Sequence, residues 1–331
     1  MGAHAKQDMN SLAAHAALAG VIALLMALAI DLLFGEPPAA VHPVVWMGRY
    51  LRTVGAMLAP SDASGGRDLP SFWRGALAWC AGAAIFTLAG WLLQSLLMPF
   101  NAVVAGLAMG VLLKPMLAWR MLRREVEGVE DALAVSLDAG RQRLLHLVSR
   151  DVTALSAGEV RESAIESLAE NLNDSVVAPI FWFAVAGLPG AVLYRFANTA
   201  DAMWGYRGMR NGRNWEWAGK WAARADDVLS WIPARITALL LALAGRGVPL
   251  AILHTEARST PSPNGGWPMA TMALVLGVRL GKPGVYVLNA KGRVPEAADT
   301  ERAVRLAALS VAACAALAVL AMAWPVIAGA G

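Results

Sequence analysis

Glu162, Glu166, Glu170 and Asp174 recur every fourth residue within Arg161–Asp174. On a helix that spacing lines four carboxylates along one slowly drifting face. Like charges four residues apart repel by about 0.2–0.5 kcal/mol per pair. The ladder therefore calls for cations: an arginine cluster, or a divalent metal held by carboxylate oxygens. A solvated acidic face is the plainer alternative. Against it, the ladder runs straight into an apolar segment beginning at Val176, and carboxylates at a membrane boundary are costly unless paired or working. Ser156 and Glu159 form a capping-box pattern just upstream.

Three further polar blocks carry side chains capable of chemistry. From Asp31 to Arg49, an Asp at a helix end precedes a His42-Pro43 turn, which reads either as a capping feature or as acid–base chemistry by His42. The next block runs from Arg195 through Asn198, Asp201 and Arg207 to Arg224, Asp226, Asp227 and Arg235. Its Asp residues could bind Mg²⁺ and its Arg residues could hold phosphate bidentately. Trp204, Trp215, Trp217, Trp221 and Trp231 crowd the same block and read as an interfacial belt, or as an aromatic wall for a planar ligand. The last block, Ser262 to Pro268 with Asn264 inside it, is a Pro/Gly turn that could present backbone N–H groups to an anion. No P-loop is present: Gly277 to Pro283 has the wrong spacing and no Ser or Thr after Lys282. Serine-hydrolase, zinc-protease and dinucleotide fingerprints are absent as well.

The elements that must position these blocks are membrane helices. Of 331 residues, 57% are hydrophobic and only 16% charged, with a mean hydropathy of +0.51. Disorder is excluded, and an ordinary soluble globule would run nearer a quarter charged. A net charge of +4 is too small and too mixed to argue for nucleic acid. Cys80 and Cys314 both lie in apolar runs, so neither a disulfide framework nor a cysteine zinc site is on offer.

The sequence predicts an all-α polytopic membrane protein, one helical-bundle domain over 1–331, with spans near 12–34, 75–98, 101–119 and 304–326. Such lengths cross about 30 Å of hydrocarbon at about 1.5 Å per residue. Lys114 is expected to snorkel from the end of the third span. Two apolar segments, 176–197 and 232–253, are broken by Gly and Pro. The basic loops Arg120–Ser175, with seven Arg, and Asn198–Val228, with five Lys or Arg, should share the cytoplasmic side. That is possible if the broken segments are re-entrant or discontinuous helices. The polar loops 35–50, 149–175, 198–235 and 255–268 would then cluster on one face.

In this order the blocks resemble the CobD/CbiB family, the membrane-bound adenosylcobinamide-phosphate synthases of cobalamin biosynthesis. The matching stretches are Asp31–Gly48 (DLLFGEPPAAVHPVVWMG), Ser149–Pro179, Tyr194–Tyr206 (YRFANTADAMWGY), Ala223–Arg235 (ARADDVLSWIPAR) and Ser262–Gly281. Together they cover nearly the whole chain. The family pattern often has Asp before the Ser-Pro-Asn turn; here Glu256-Ala257-Arg258 stands there.

The resemblance implies an ATP-dependent amide ligase of the inner membrane, joining adenosylcobyric acid to (R)-1-amino-2-propanol O-phosphate. It also implies neighbours in lipid and in other membrane-bound enzymes of the pathway. Activation of a carboxylate to an acyl phosphate, followed by amine attack, would use ATP with Mg²⁺. On that reading Glu166, Glu170, Asp174 and Asp227 hold metal. Arg161, Arg224 and Arg235 hold phosphates, and Asn171, Asn198, Ser262 and Asn264 orient substrate or oxyanion. His42 or Asp201 removes the amine proton. Two other classes share the outline. A transporter would also have broken helices, but with charges inside its spans and pseudo-repeats. An AmpE-like regulatory membrane protein would need neither the acidic ladder nor the Arg-x-Asp-Asp block.

Overall fold

A computed structural model describes residues 2–62 and 66–329. Its helices in chain order are α1 (Gly2–Phe34), α2 (Pro43–Leu58), α3 (Leu69–Leu97), α4 (Ala102–Leu113), α5 (Trp119–Val135), α6 (Leu137–Leu144), α7 (Ala157–Leu172) and α8 (Ala178–Trp204). A two-stranded ribbon, β1 (Met209–Arg210) with β2 (Arg213–Asn214), leads to α9 (Lys220–Leu229), α10 (Trp231–Ala244), α11 (Leu250–Ala257) and α12 (Gly266–Leu276). A second hairpin, β3 (Leu280–Lys282) with β4 (Tyr286–Leu288), precedes the long α13 (Ala297–Gly329). The protein is an all-α polytopic membrane protein with two small hairpins. Among the described residues, five helical stretches are long and apolar enough to cross a membrane: Asn10–Phe34, Leu69–Leu97, Ala102–Val135, Ala157–Trp204 and Ala297–Trp324. In the first, second and last of these, only 33%, 28% and 28% of the most apolar window is buried by protein, so their remaining surface suits lipid.

By packing, the chain forms two compact units. Unit one comprises Met1–Leu117, Pro179–Leu229 and Leu317–Gly331; unit two comprises Ala118–Ala178 and Ser230–Ala316.

In unit one, α1 and α4 pack through small residues. A Cβ on Gly110 would come within 2.6 Å of Met26 and 2.8 Å of the Ala23 carbonyl oxygen, and one on Gly106 within 2.7 Å of Ile22. Glycines four apart let two backbones approach, the usual basis of close helix contact in lipid. Gly110→Leu is therefore expected to cost about 1–3 kcal/mol by overpacking, read as a lower denaturation midpoint in mixed micelles.

The first broken segment is broken as expected. Within α8, Ala186 and Gly187 leave helical geometry, Gly187 at φ 66, and the Gln94 side chain accepts the Leu188 N–H at 2.8 Å. The second segment divides into α10 and α11 around Gly245–Pro249.

Two sequence expectations are corrected in unit one. Lys114 does not snorkel. It is 2% exposed and sits in a 3-10 turn, Lys114–Met116, that ends α4. Its Nζ lies 3.1 Å from Asp31 Oδ1 and donates to Glu36 Oε1 at 2.7 Å and to the Leu117 carbonyl at 3.1 Å. Nor is the tryptophan cluster simply an interfacial belt. Trp204 is 1% exposed and stacks on Trp215, while Trp221 packs edge-on against Phe72 and Trp79.

Candidate functional site

The acidic ladder lies in unit two, on α7. The capping box forms as the sequence predicts: Ser156 Oγ accepts the Glu159 N–H while the Glu159 carboxylate accepts the Ser156 N–H. An apolar cluster of Val129, Leu144, Val152, Leu155, Val160 and Ala164 seats the start of α7 on the preceding loop. That loop is tied along the helix twice. Ser167 Oγ donates to the Leu147 carbonyl at 3.3 Å, and Arg150 Nη2 donates to Ser163 Oγ at 2.6 Å.

Each rung of the ladder meets a different environment. Glu162, 3% exposed, is neutralised by Arg279, whose Nη2 donates to Glu162 Oε1 at 2.9 Å. Glu166 is 7% exposed. Its Oε1 accepts a hydrogen bond from the Tyr286 hydroxyl, and its Oε2 lies 3.8 Å from Arg150 Nη2. Glu170 faces the Ser262–Gly265 turn, where a Cβ on Gly265 would come 3.2 Å from Glu170 Oε1. Asp174 falls beyond α7 in a widened π-type turn, Asn173–Val177, and accepts from Asn173 Nδ2 at 2.8 Å. Such turns break the regular fourfold spacing. Among the described residues, no three His, Cys, Asp or Glu side chains converge as a protein-built metal site would require. Glu166, Glu170 and Asp174, the expected metal residues of this unit, form no such group.

What α7 does build is a small polar cavity of about 180 Å³, lined chiefly by Arg150, Lys282, Glu166, Glu170, Asn171 and Ser149. Two cations thus face two carboxylates. Arg150 Nε and Nη1 and Glu166 Oε2 are buried without a hydrogen-bond partner among the described residues. Buried polar groups left this way cost about 1–3 kcal/mol each, which a polar ligand would recover. Lys282 and Tyr286 come from the β3–β4 hairpin. Glu256 anchors that hairpin by accepting the Asn289 N–H at 2.7 Å. Burial first, then the neighbouring Glu166 carboxylate, pushes the Tyr286 hydroxyl far above its ordinary pKa. It remains a donor across the working pH range.

The other site residues expected in unit two have separate partners. Asn171 lines the cavity and donates to the Ser167 carbonyl at 2.9 Å. Arg161 does not reach the cavity: it pairs with Glu130, Nη2 to Oε1 at 2.7 Å. Arg235 donates to Asn264 Oδ1 at 2.9 Å and stacks over Trp231 and Trp267. Ser262 Oγ accepts the N–H groups of Asn264 and Gly265, closing the turn.

Unit one holds His42, Asn198, Asp201, Arg224 and Asp227. His42 caps α2: its Nδ1 accepts the Val44 N–H at 3.2 Å, so the ring proton sits on Nε2, which meets Glu36 Oε2 at 3.1 Å. Both ring nitrogens are engaged within the chain. Burial pushes the Glu36 carboxyl up, yet His42 and Lys114 together hold it below its ordinary range. Asn198 and Asp227 are half-buried and Arg224 exposed, while the Asp201 carbonyl accepts the Gly205 N–H at 2.7 Å.

Sequence reasoning missed two cavity residues, Arg150 and Lys282, and the tyrosine that holds Glu166. Arg150 stood in a matched motif without a role, and Lys282 was met only as a failed P-loop lysine. Tyr286 gave no signal beyond a Lys-Pro-Gly turn between short apolar runs.

The family profile described as "CobD/Cbib protein" matches residues 24–316. The "probable cobalamin biosynthesis protein CobD" of Methanothermobacter thermautotrophicus is 42% identical over 301 residues, covering 88% of this chain and 94% of that protein. The "cobalamin biosynthesis protein CobD" of Chromobacterium violaceum is 40% identical over 305 residues, covering 87% and 95%. No solved structure matches the chain.

Proposed function

Since the chain belongs to the CobD/CbiB family of cobalamin-biosynthesis proteins, we propose that it is the ATP-dependent ligase joining adenosylcobyric acid to (R)-1-amino-2-propanol O-phosphate. The observation that carries this reading is the α7 cavity, with Arg150 and Lys282 facing Glu166 and Glu170. A small molecule bearing both a phosphate and an ammonium complements that charge pattern. A volume of about 180 Å³ admits such a molecule and is too small for a corrinoid ring.

Arg150 offers the phosphate its two unpartnered donors, Nε and Nη1, each a charge-assisted bond of the stronger kind. Lys282 adds a point charge from an exposed position. Glu170 and Glu166 receive the ammonium. Tyr286 holds Glu166 Oε1, leaving Oε2 to accept a proton from the amine. The freed lone pair attacks the activated carboxyl carbon. The C–N bond forms, the C–O bond to the phosphoryl group breaks, inorganic phosphate departs carrying the second proton lost by the nitrogen, and the first remains on Glu166. ATP supplies the phosphoryl group that makes the carboxylate an acyl donor. Because the ladder does not converge on a metal position, no step is assigned to a protein-held Mg²⁺. A metal accompanying nucleotide phosphates needs only one or two carboxylates.

Arg150→Met tests the assignment. Losing a hydrogen-bonded charge should raise KM for the amino-alcohol phosphate by about ten- to a hundredfold, with KM for ATP unchanged. Arg161→Met, removing a guanidinium committed to Glu130, should leave both KM values near wild type. Equal KM values for Arg150→Met and wild type would overturn the assignment.

A further inference from the structure

Unit one contains a second basic cavity, which the ligase reading does not use. It measures about 430 Å³ and is lined by Arg52, Arg210 and Arg213 together with Tyr206, Trp204 and Trp215; no Asp or Glu is among its lining residues. The sequence builds it locally. Asn211 (φ 50) and Gly212 (φ 71) supply the two left-handed residues of a tight hairpin turn. The resulting register sets Arg210 directly opposite Arg213. Arg52 comes from α2. Like charges at paired positions on a ribbon are destabilising, and among the described residues none of the three arginines has a carboxylate partner.

The arginines are held while keeping donors to spare. Arg213 Nη1 donates to the Ala59 carbonyl at 2.8 Å, and the Arg210 guanidinium lies 3.6 Å from the Tyr206 ring centroid. A guanidinium carries five N–H donors, so these contacts leave several for a ligand. The floor is rigid: Trp204 donates to the Leu51 carbonyl at 3.0 Å and stacks on Trp215 with ring centroids 6.0 Å apart and planes 18° apart.

We propose that this cavity binds the phosphate of an anionic ligand, whether a lipid headgroup or a soluble phosphate ester. Three guanidinium groups around one space supply forked donors for phosphate oxygens. A bound anion removes the repulsion between Arg210 and Arg213 that the protein itself leaves uncompensated. The proposal does not depend on the ligase reading.

The test is thermal denaturation of the full chain in phosphatidylcholine nanodiscs, titrated with inorganic pyrophosphate or prepared with increasing phosphatidylglycerol. Wild-type protein should be stabilised saturably by at least one probe, less so at high salt. Pyrophosphate stabilisation that Arg52→Gln weakens identifies a soluble ester site, and phosphatidylglycerol stabilisation alone that Arg52→Gln weakens identifies a lipid site. Arg52→Gln changes an exposed side chain and leaves the fold intact; it should weaken the apparent affinity about tenfold, as should Arg210→Gln. Arg150→Met, altered in the α7 cavity, should keep the part of the response that Arg52→Gln weakens. No stabilisation by either probe would overturn the proposal, and so would equal stabilisation of wild type and Arg52→Gln.

Discussion

Replacing Glu166 by glutamine is expected to lower kcat for amide formation by about a hundred- to ten-thousandfold, in a protein that still folds. Glutamine keeps the side chain's size and its carbonyl oxygen can still accept from Tyr286, so the hairpin contact to α7 survives. What is lost is the oxygen able to take a proton, at a carboxylate 7% exposed and beside Arg150. On the proposed reaction, the amine phosphate would enter as an ammonium ion, which has no lone pair to give. Without a proton acceptor in the cavity it stays unreactive, so the loss falls on kcat more than on KM. Steady-state amide formation by purified protein in detergent measures this, with an unchanged melting temperature as the folding control. Wild-type kcat in Glu166→Gln would remove Glu166 from the chemistry.

The largest stability effect is expected at Lys114. Lys114→Met leaves Asp31, 0% exposed, and Glu36 without the ammonium that both contact. Breaking a buried ion pair from one side costs about 3–5 kcal/mol, because the remaining charge is stranded rather than because the pair itself is worth that much. The sign of a second substitution tests this explanation. Lys114→Met combined with Asp31→Asn should recover about half of the loss, a coupling that independent sites would not show. Chemical denaturation in mixed micelles reads both. Additive losses would mean that Lys114 contributes by packing alone.

The legible part of the molecule was its local pattern. Apolar runs marked the long helices, Gly187 and Gly245 marked breaks in the two interrupted segments, and Ser156 with Glu159 announced the start of α7. Each depends on neighbours within a turn or two. The fourfold carboxylate spacing was legible too, but its meaning was not. Arg279 neutralises Glu162 across 117 positions and Tyr286 holds Glu166 across 120, so no local pattern could assign one rung to structure and the next to a cavity. Asp174 left the ladder because a widened turn interrupts the helix, and nothing in the sequence marks that turn. Lys114 was misread for the same reason. At the end of an apolar run a lysine looks free to reach water, and only the return of Asp31 and Glu36 to the same place makes it a buried counter-ion. Arg161 read as the phosphate holder and Arg150 carried no role; Glu130, distant in sequence, pairs with Arg161, while Arg150 lines the cavity.

The central claim is that this chain forms an amide bond with the α7 cavity holding the amine substrate. The most direct measurement is mass-spectrometric detection of product from purified wild-type protein given adenosylcobyric acid, (R)-1-amino-2-propanol O-phosphate, ATP and Mg²⁺. The account predicts adenosylcobinamide phosphate in wild type and almost none in Glu166→Gln. No amide product from folded wild-type protein, or equal product from the two proteins, would contradict it.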